Sequence, residues 1–129
     1  MRTEPEREVV TVLLIDDDPV EAKLLHAFLE QRFGDAFEMV HVWDLEEALV
    51  ALDGRRFDHV LLDNRLPPFA DYRETLPVLR GHAAAPEPII VSASVRDRCF
   101  EAEETESHGG PAIVDKFALR GAIAAGLLG

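Results

Sequence analysis

The sequence predicts a single α/β domain built on a five-stranded parallel sheet, doubly wound so that helices cover both faces. Three observations carry that expectation. Short apolar runs rich in β-branched residues alternate five times with segments of helical periodicity, the pattern of repeated strand-helix units. Runs such as Val12 to Ile15, Val60 to Leu62 and Ile89 to Val91 are continuously apolar, as strands buried on both faces are. A length of 129 residues with 47% hydrophobic content is enough for one compact core and little else.

Met1 to Glu8 is polar and carries Pro5, so residues 1–8 are expected to form a disordered leader and 9–129 the domain. Val9 to Ile15 reads as a buried strand that stops at Asp16-Asp17-Asp18-Pro19. From Pro19 the period changes, and Val20, Leu24, Leu25, Phe28 and Leu29 fall on one helical face with Gly34 just past the end. Asp18 is read as an N-cap or surface acid. Phe37 to Trp43 is a second strand, and Asp44 caps a helix whose stripe of Leu45, Ala48, Leu49 and Leu52 ends before Gly54.

The third strand is Phe57 to Leu62, with Asp63 at its carboxyl end and Pro67-Pro68 soon after. Tyr72, Leu76 and Leu79 keep helical spacing, but Pro77 interrupts them. A kink or a late start with Thr75 as N-cap is expected, which would leave residues 67–74 as a long loop beside Asp63. Pro88 to Ser92 is a fourth buried strand. Residues 95–108 are acidic and weakly amphipathic, with Val95, Cys99 and Ala102 as the apolar stripe and Phe100 beside it. After Gly109-Gly110, Ala112 to Val114 makes a short fifth strand ending at Asp115-Lys116. Leu119, Ala122, Ile123 and Leu127 form the last helical stripe.

Composition excludes several classes of function. The net charge of -12, from 13 basic and 25 acidic residues, would repel a phosphate backbone, so no nucleic-acid partner is expected. No apolar run approaches the roughly 18 residues of a membrane span, and the charged start is no signal peptide, so a cytoplasmic protein without membrane association is expected. Cys99 is alone and cannot form an internal disulfide. His26, His41, His59, His82 and His108 are scattered without the spacing of a transition-metal site, and the acids Glu101, Glu103, Glu104 and Glu106 read as a solvated face.

What remains is a set of polar residues at strand ends. In a parallel sheet Asp16, Asp17, Asp63, Ser92 and Lys116 all reach the same carboxyl edge, where ligands collect in open α/β folds. Three neighbouring carboxylates need a cation, and oxygen donors without paired His or Cys suit Mg²⁺. A metal, a lysine and a hydroxyl around a strand-end carboxylate suit phosphoryl transfer onto Asp63 itself. Ser92 would then donate a hydrogen bond only after the phosphoryl group arrives, making the domain a switch.

These pieces resemble the receiver domain of two-component response regulators, of the stand-alone, chemotaxis-regulator-like kind. The matching segments are Leu13-Leu14-Ile15-Asp16-Asp17, Leu61-Leu62-Asp63-Asn64-Arg65-Leu66-Pro67, Ile89-Ile90-Val91-Ser92-Ala93 and Lys116-Phe117, and the resemblance covers roughly residues 9–128. It implies a flavodoxin-like strand order of 2-1-3-4-5. It also implies that Asp63 accepts phosphate from a histidine kinase or histidine phosphotransfer protein. Asp17, Asp63 and the backbone carbonyl of Arg65 would ligate Mg²⁺, with Asp16 acting through a metal-bound water. Ser92 would be the switch hydroxyl and Lys116 the phosphate's partner, while the side chains of Arg65 and Ser94 would tune phosphate loss.

The chain departs from that family at three places: Phe117 replaces the proline after the lysine, Ile113 replaces the switch aromatic, and Asp71 replaces a common glycine. With no effector domain after residue 129, output is expected through partner binding, homodimerisation or phosphate relay. The protein is expected to be a phosphoacceptor that assists its own phosphorylation and dephosphorylation, not an enzyme. Arg65 stands where an aspartyl-phosphate phosphatase or mutase would carry a second acid. The alternative is a receiver-like adaptor that binds partners without being phosphorylated.

Overall fold

A computed structural model describes residues 9–93 and 112–129. The expected leader, Ser94, the segment 95–108 with Cys99, Phe100 and the acidic run, and Gly109-Gly110 lie outside those residues. Five strands, β1 (Val10–Ile15), β2 (Phe37–Val42), β3 (His59–Asp63), β4 (Ile89–Ser92) and β5 (Ala112–Asp115), form one sheet in the order β2-β1-β3-β4-β5. All four neighbouring pairs are parallel, as anticipated. Four helices are described: α1 (Pro19–Phe33), α2 (Leu45–Gly54), α3 (Tyr72–Arg80) and α4 (Leu119–Ala124).

The sheet separates two cores because successive strand side chains point to opposite faces. Leu13, Ile15, Val60, Leu62 and Ile90 pack with Leu45, Ala48 and Leu52 of α2 and Tyr72, Leu76 and Leu79 of α3. Val12, Leu14, Leu61 and Val91 pack with Ala22, Leu25 and Leu29 of α1 and Leu119 and Ile123 of α4. Each apolar run therefore hides an alternation, one residue per face. That sandwich holds the strand ends in register: Ile15 lies opposite both Val42 and Leu62, Asp63 opposite Val91, and Ser92 opposite Asp115.

Helix α1 begins as its sequence dictates. Asp18 is the N-cap and accepts a hydrogen bond from the Val20 N–H at 2.9 Å, Pro19 opens the helix, and Gly34 closes it with φ 66° while donating its N–H to the Glu30 carbonyl. The buried face differs from expectation, because Val20 and Leu24 are exposed and the inward line is Ala22, Leu25 and Leu29. Ala22 supplies the first contact of an i, i+3, i+7 line that large apolar side chains alone do not reveal. Leu24 lies about 100° off that line.

Helix α2 carries a reciprocal cap. Asp44 accepts from the Glu47 N–H at 2.8 Å, and Glu47 accepts from the Trp43 N–H at 2.7 Å. The helix takes in Gly54, which sequence placed beyond its end. Helix α3 corrects the late start at Thr75: it begins at Tyr72, with Asp71 as N-cap accepting from the Arg73 N–H at 2.9 Å and Glu74 accepting from the Ala70 N–H at 2.8 Å. Pro77 lies inside the helix, and the burial of Tyr72, Thr75, Leu76 and Leu79 against the sheet outweighs its missing N–H. Asp71→Ala is expected to lower stability by about 1 kcal/mol in urea denaturation, the usual worth of an N-cap. An unchanged midpoint would remove Asp71 from that role.

After β5 the chain makes a 3₁₀ turn over Lys116–Ala118, in which Asp115 accepts from the Phe117 N–H at 2.8 Å. Helix α4 follows and buries Leu119 and Ile123. Its expected contact Leu127 is only partly buried, while Leu128, not anticipated, is buried.

Candidate functional site

The residues that sequence placed at the carboxyl edge meet there. Asp16 is the first residue past β1 and is buried. Its backbone N–H donates to the Val42 carbonyl at 3.1 Å, its carboxylate accepts from the Asp18 N–H at 2.9 Å, and its carbonyl accepts from His41 Nε2–H at 2.7 Å. These three bonds fix the turn on which the acids stand. Asp63 ends β3, and carboxylate oxygens of Asp16, Asp17 and Asp63 lie within 4.8 Å of one another. Asp17 is exposed, so the cluster opens to solvent on that side. Asp18 is not in the cluster, consistent with its capping role.

Lys116 reaches into the acids from the end of β5. Its Nζ lies 3.3 Å from Asp63 Oδ1 and 3.5 Å from Asp16 Oδ2. Ser92 is buried at the end of β4, one residue past the Val91 that pairs with Asp63. Arg65 has an exposed side chain, and its backbone N–H donates to the Asp63 carboxylate. Ile113 lies in β5 and packs against the core on the α2 and α3 side. Phe117 is 86% exposed beside Lys116.

Burial dominates the electrostatics. Desolvation, reinforced by the Asp16 charge, raises the Asp63 pKa to about 6 despite the opposing pull of Lys116. Asp16 is also raised, chiefly by desolvation, with the Asp18 N–H and Lys116 opposing. For Lys116, burial works against the ammonium, but Asp63 and Asp16 outweigh it and its pKa rises. One ammonium therefore faces two buried carboxylates that desolvation keeps from ionising easily. A hard divalent cation would complete the balance, and the all-oxygen donor set of Asp16, Asp17 and Asp63 fits Mg²⁺ better than a metal that prefers nitrogen or sulfur.

Asn64 was missed as a functional candidate. It is 1% exposed, directly follows Asp63, and its Oδ1 accepts from the Tyr72 N–H at 3.1 Å, so it joins the site to α3. The available signal was a polar residue directly after a strand-end acid, ahead of a proline-bounded loop. His41 supports Asp16 from β2.

No family model and no curated protein matches the chain. Solved structures do match over nearly its whole length. The receiver domain of sensor histidine kinase PA1611 from Pseudomonas aeruginosa, solved with a magnesium ion coordinated in its active site cleft, is 22% identical with a TM-score of 0.69, covering 91% of this chain and 93% of that one. The signal receiver domain of NarL from Mycobacterium tuberculosis is 20% identical with a TM-score of 0.70, covering 94% of each chain. The chemotaxis response regulator CheY4 of Vibrio cholerae is 18% identical with a TM-score of 0.67, covering 91% and 98%. The fold is that of response regulator receiver domains. Among the described residues no helix is long and apolar enough to cross a membrane.

Proposed function

We propose that the chain is a phosphoacceptor switch of a two-component system, in which Asp63 takes a phosphoryl group from a phosphohistidine on a kinase or phosphotransfer protein. The observation that carries this reading is the position of Lys116 Nζ, 3.3 Å from Asp63 and 3.5 Å from Asp16. In this position the ammonium can meet an anionic group attached to Asp63 as well as offset the two buried carboxylates. In the step itself a bond forms from an Asp63 oxygen to phosphorus as the donor's phosphorus–nitrogen bond breaks, leaving the electron pair on the imidazole. Asp16, Asp17, Asp63 and the Arg65 carbonyl would hold Mg²⁺, which when bound supplies positive charge to the acceptor and to the phosphoryl oxygens. Lys116 neutralises charge on the transferred group, and the Ser92 hydroxyl donates to it afterwards. The chain thereby assists its own phosphorylation and dephosphorylation without turning over a substrate.

The test uses a small phosphodonor. With Mg²⁺ and acetyl phosphate the protein is expected to gain the mass of one phosphoryl group, and with excess EDTA it is expected to gain none. An unchanged mass in the presence of Mg²⁺ would overturn the assignment.

Exposed apolar side chains occur next to Lys116 and on α1, the helix that follows the Asp16-Asp17-Asp18 turn. Phe117 follows Lys116 directly and is 86% exposed, while Val20 and Leu24 on α1 are 57% and 44% exposed. Such side chains suit docking of a phosphodonor protein, for which an exposed aromatic is a common anchor. Phe117→Ala is expected to slow transfer from a phosphorylated partner protein about tenfold, the worth of roughly 1.4 kcal/mol of docking, while leaving transfer from acetyl phosphate unchanged. Equal slowing with both donors would place Phe117 in the chemistry rather than in docking.

A further inference from the structure

We propose that Asn64 is a positioning residue that carries the state of Asp63 to the first turn of α3. The inference rests on the proposed phosphorylation of Asp63. Asn64 is tied to the sheet by its backbone N–H, which donates to the Val91 carbonyl at 2.9 Å, and to α3 by its side chain, whose Oδ1 accepts from the Tyr72 N–H at 3.1 Å. It is 1% exposed, and its Nδ2 has no hydrogen-bond partner among the described residues. A buried donor without a partner costs free energy, so a second arrangement that satisfies it starts with an advantage.

The proposed switch has two arrangements of this amide. In the present one, Oδ1 serves Tyr72 and Nδ2 is idle. A new group on Asp63 is expected to shift the adjoining residue, because the two are joined by one peptide bond and Asp63 is packed at the end of β3. The Oδ1 contact is already near the long end of the hydrogen-bond range, so a shift of a few tenths of an ångström weakens it. Rotating the amide then takes Oδ1 from the Tyr72 N–H, which needs a new acceptor, while Nδ2 can donate to an oxygen that the displacement brings near. Asp71 and Glu74 keep their own bonds to the Arg73 and Ala70 N–H groups, so the helix remains and only its first turn is rearranged. The signal leaves the site through α3, on the same face as α2.

The experiment follows amide signals in ¹⁵N-labelled protein before and after addition of Mg²⁺ and acetyl phosphate, with mass spectrometry on the same samples. In wild type, the Tyr72 backbone amide and the Asn64 side-chain amide are expected to shift, the latter downfield as Nδ2 gains an acceptor. In Asn64→Leu, which removes the idle donor and the acceptor together, the phosphoryl group is still gained but the Tyr72 signal stays where it was. A merely structural Asn64 would lower stability without separating those two events. A Tyr72 shift in Asn64→Leu as large as in wild type overturns the inference. So does a phosphorylated wild type whose Tyr72 and Asn64 signals do not move, and that comparison needs no variant. A wild type that gains no phosphoryl group overturns the proposed function and this inference with it, whereas phosphorylation with a silent α3 overturns this inference alone.

Discussion

Asp63→Asn is expected to gain no phosphoryl group from acetyl phosphate and Mg²⁺, and to be more stable than wild type at neutral pH. The first effect is complete because an amide oxygen is a poor nucleophile toward phosphorus and no other described carboxylate has Lys116 so close. The second follows from the raised pKa of about 6. An acid raised on folding binds its proton more tightly in the folded than in the unfolded state, so stability falls as pH rises through the window from about 4 to about 6. Above that window, ionised Asp63 costs the fold about 3 kcal/mol, and the isosteric amide avoids the cost. Below it, both states of the wild type are protonated and the difference vanishes. Urea denaturation without divalent cations at pH 7.5 and at about pH 3 measures both limits. A variant no more stable than wild type at pH 7.5 would contradict the burial account of this carboxylate, and a variant that is still phosphorylated would move the acceptor elsewhere.

Lys116→Met is expected to slow phosphorylation by about 10²–10³-fold, the usual consequence of removing one preorganised donor from a developing anionic centre. The methionine retains the bulk and apolar stem while leaving Asp16 and Asp63 facing each other without a cation. Removing one partner from a buried ion pair costs roughly 3 kcal/mol, so the variant should also be less stable at pH 7.5 without metal, and saturating Mg²⁺ should recover much of that loss. Single-turnover kinetics with acetyl phosphate give the rate, and denaturation with and without Mg²⁺ gives the stability. A rate within threefold of wild type would show that the 3.3 Å contact to Asp63 is structural and not part of the transfer.

The elements that sequence placed well are those whose signals are local. Asp18 and Asp44 cap their helices, Gly34 ends α1, and the five apolar runs became the five strands, because capping, positive φ and β-branched packing act within a few residues. The same reasoning misplaced the start of α3. Pro77 favours a late start locally, but the Asp71 and Glu74 caps and the burial of Tyr72 and Leu76 on the sheet, which depends on tertiary packing, favour the earlier one. The face of α1 was misread for a related reason. Val20 and Leu24 outweigh Ala22 in hydrophobicity, but Ala22 shares the inward line with Leu25 and Leu29, and which line faces the sheet is set by tertiary packing.

Sequence alone determined the alternation of strands and helices, and therefore that Asp16, Asp63, Ser92 and Lys116 would share one edge of a parallel sheet. Chain direction and side-chain period leave little freedom once each apolar run is a strand. Only the tertiary structure decided how close those groups come and what their closeness does. The 3.3 Å and 3.5 Å contacts of Lys116, the burial that lifts Asp63 to about 6, and the Asn64 amide spanning to Tyr72 arise between residues 8 to 100 positions apart. Distances and desolvation of that kind are set by packing across the sheet, which no local pattern encodes.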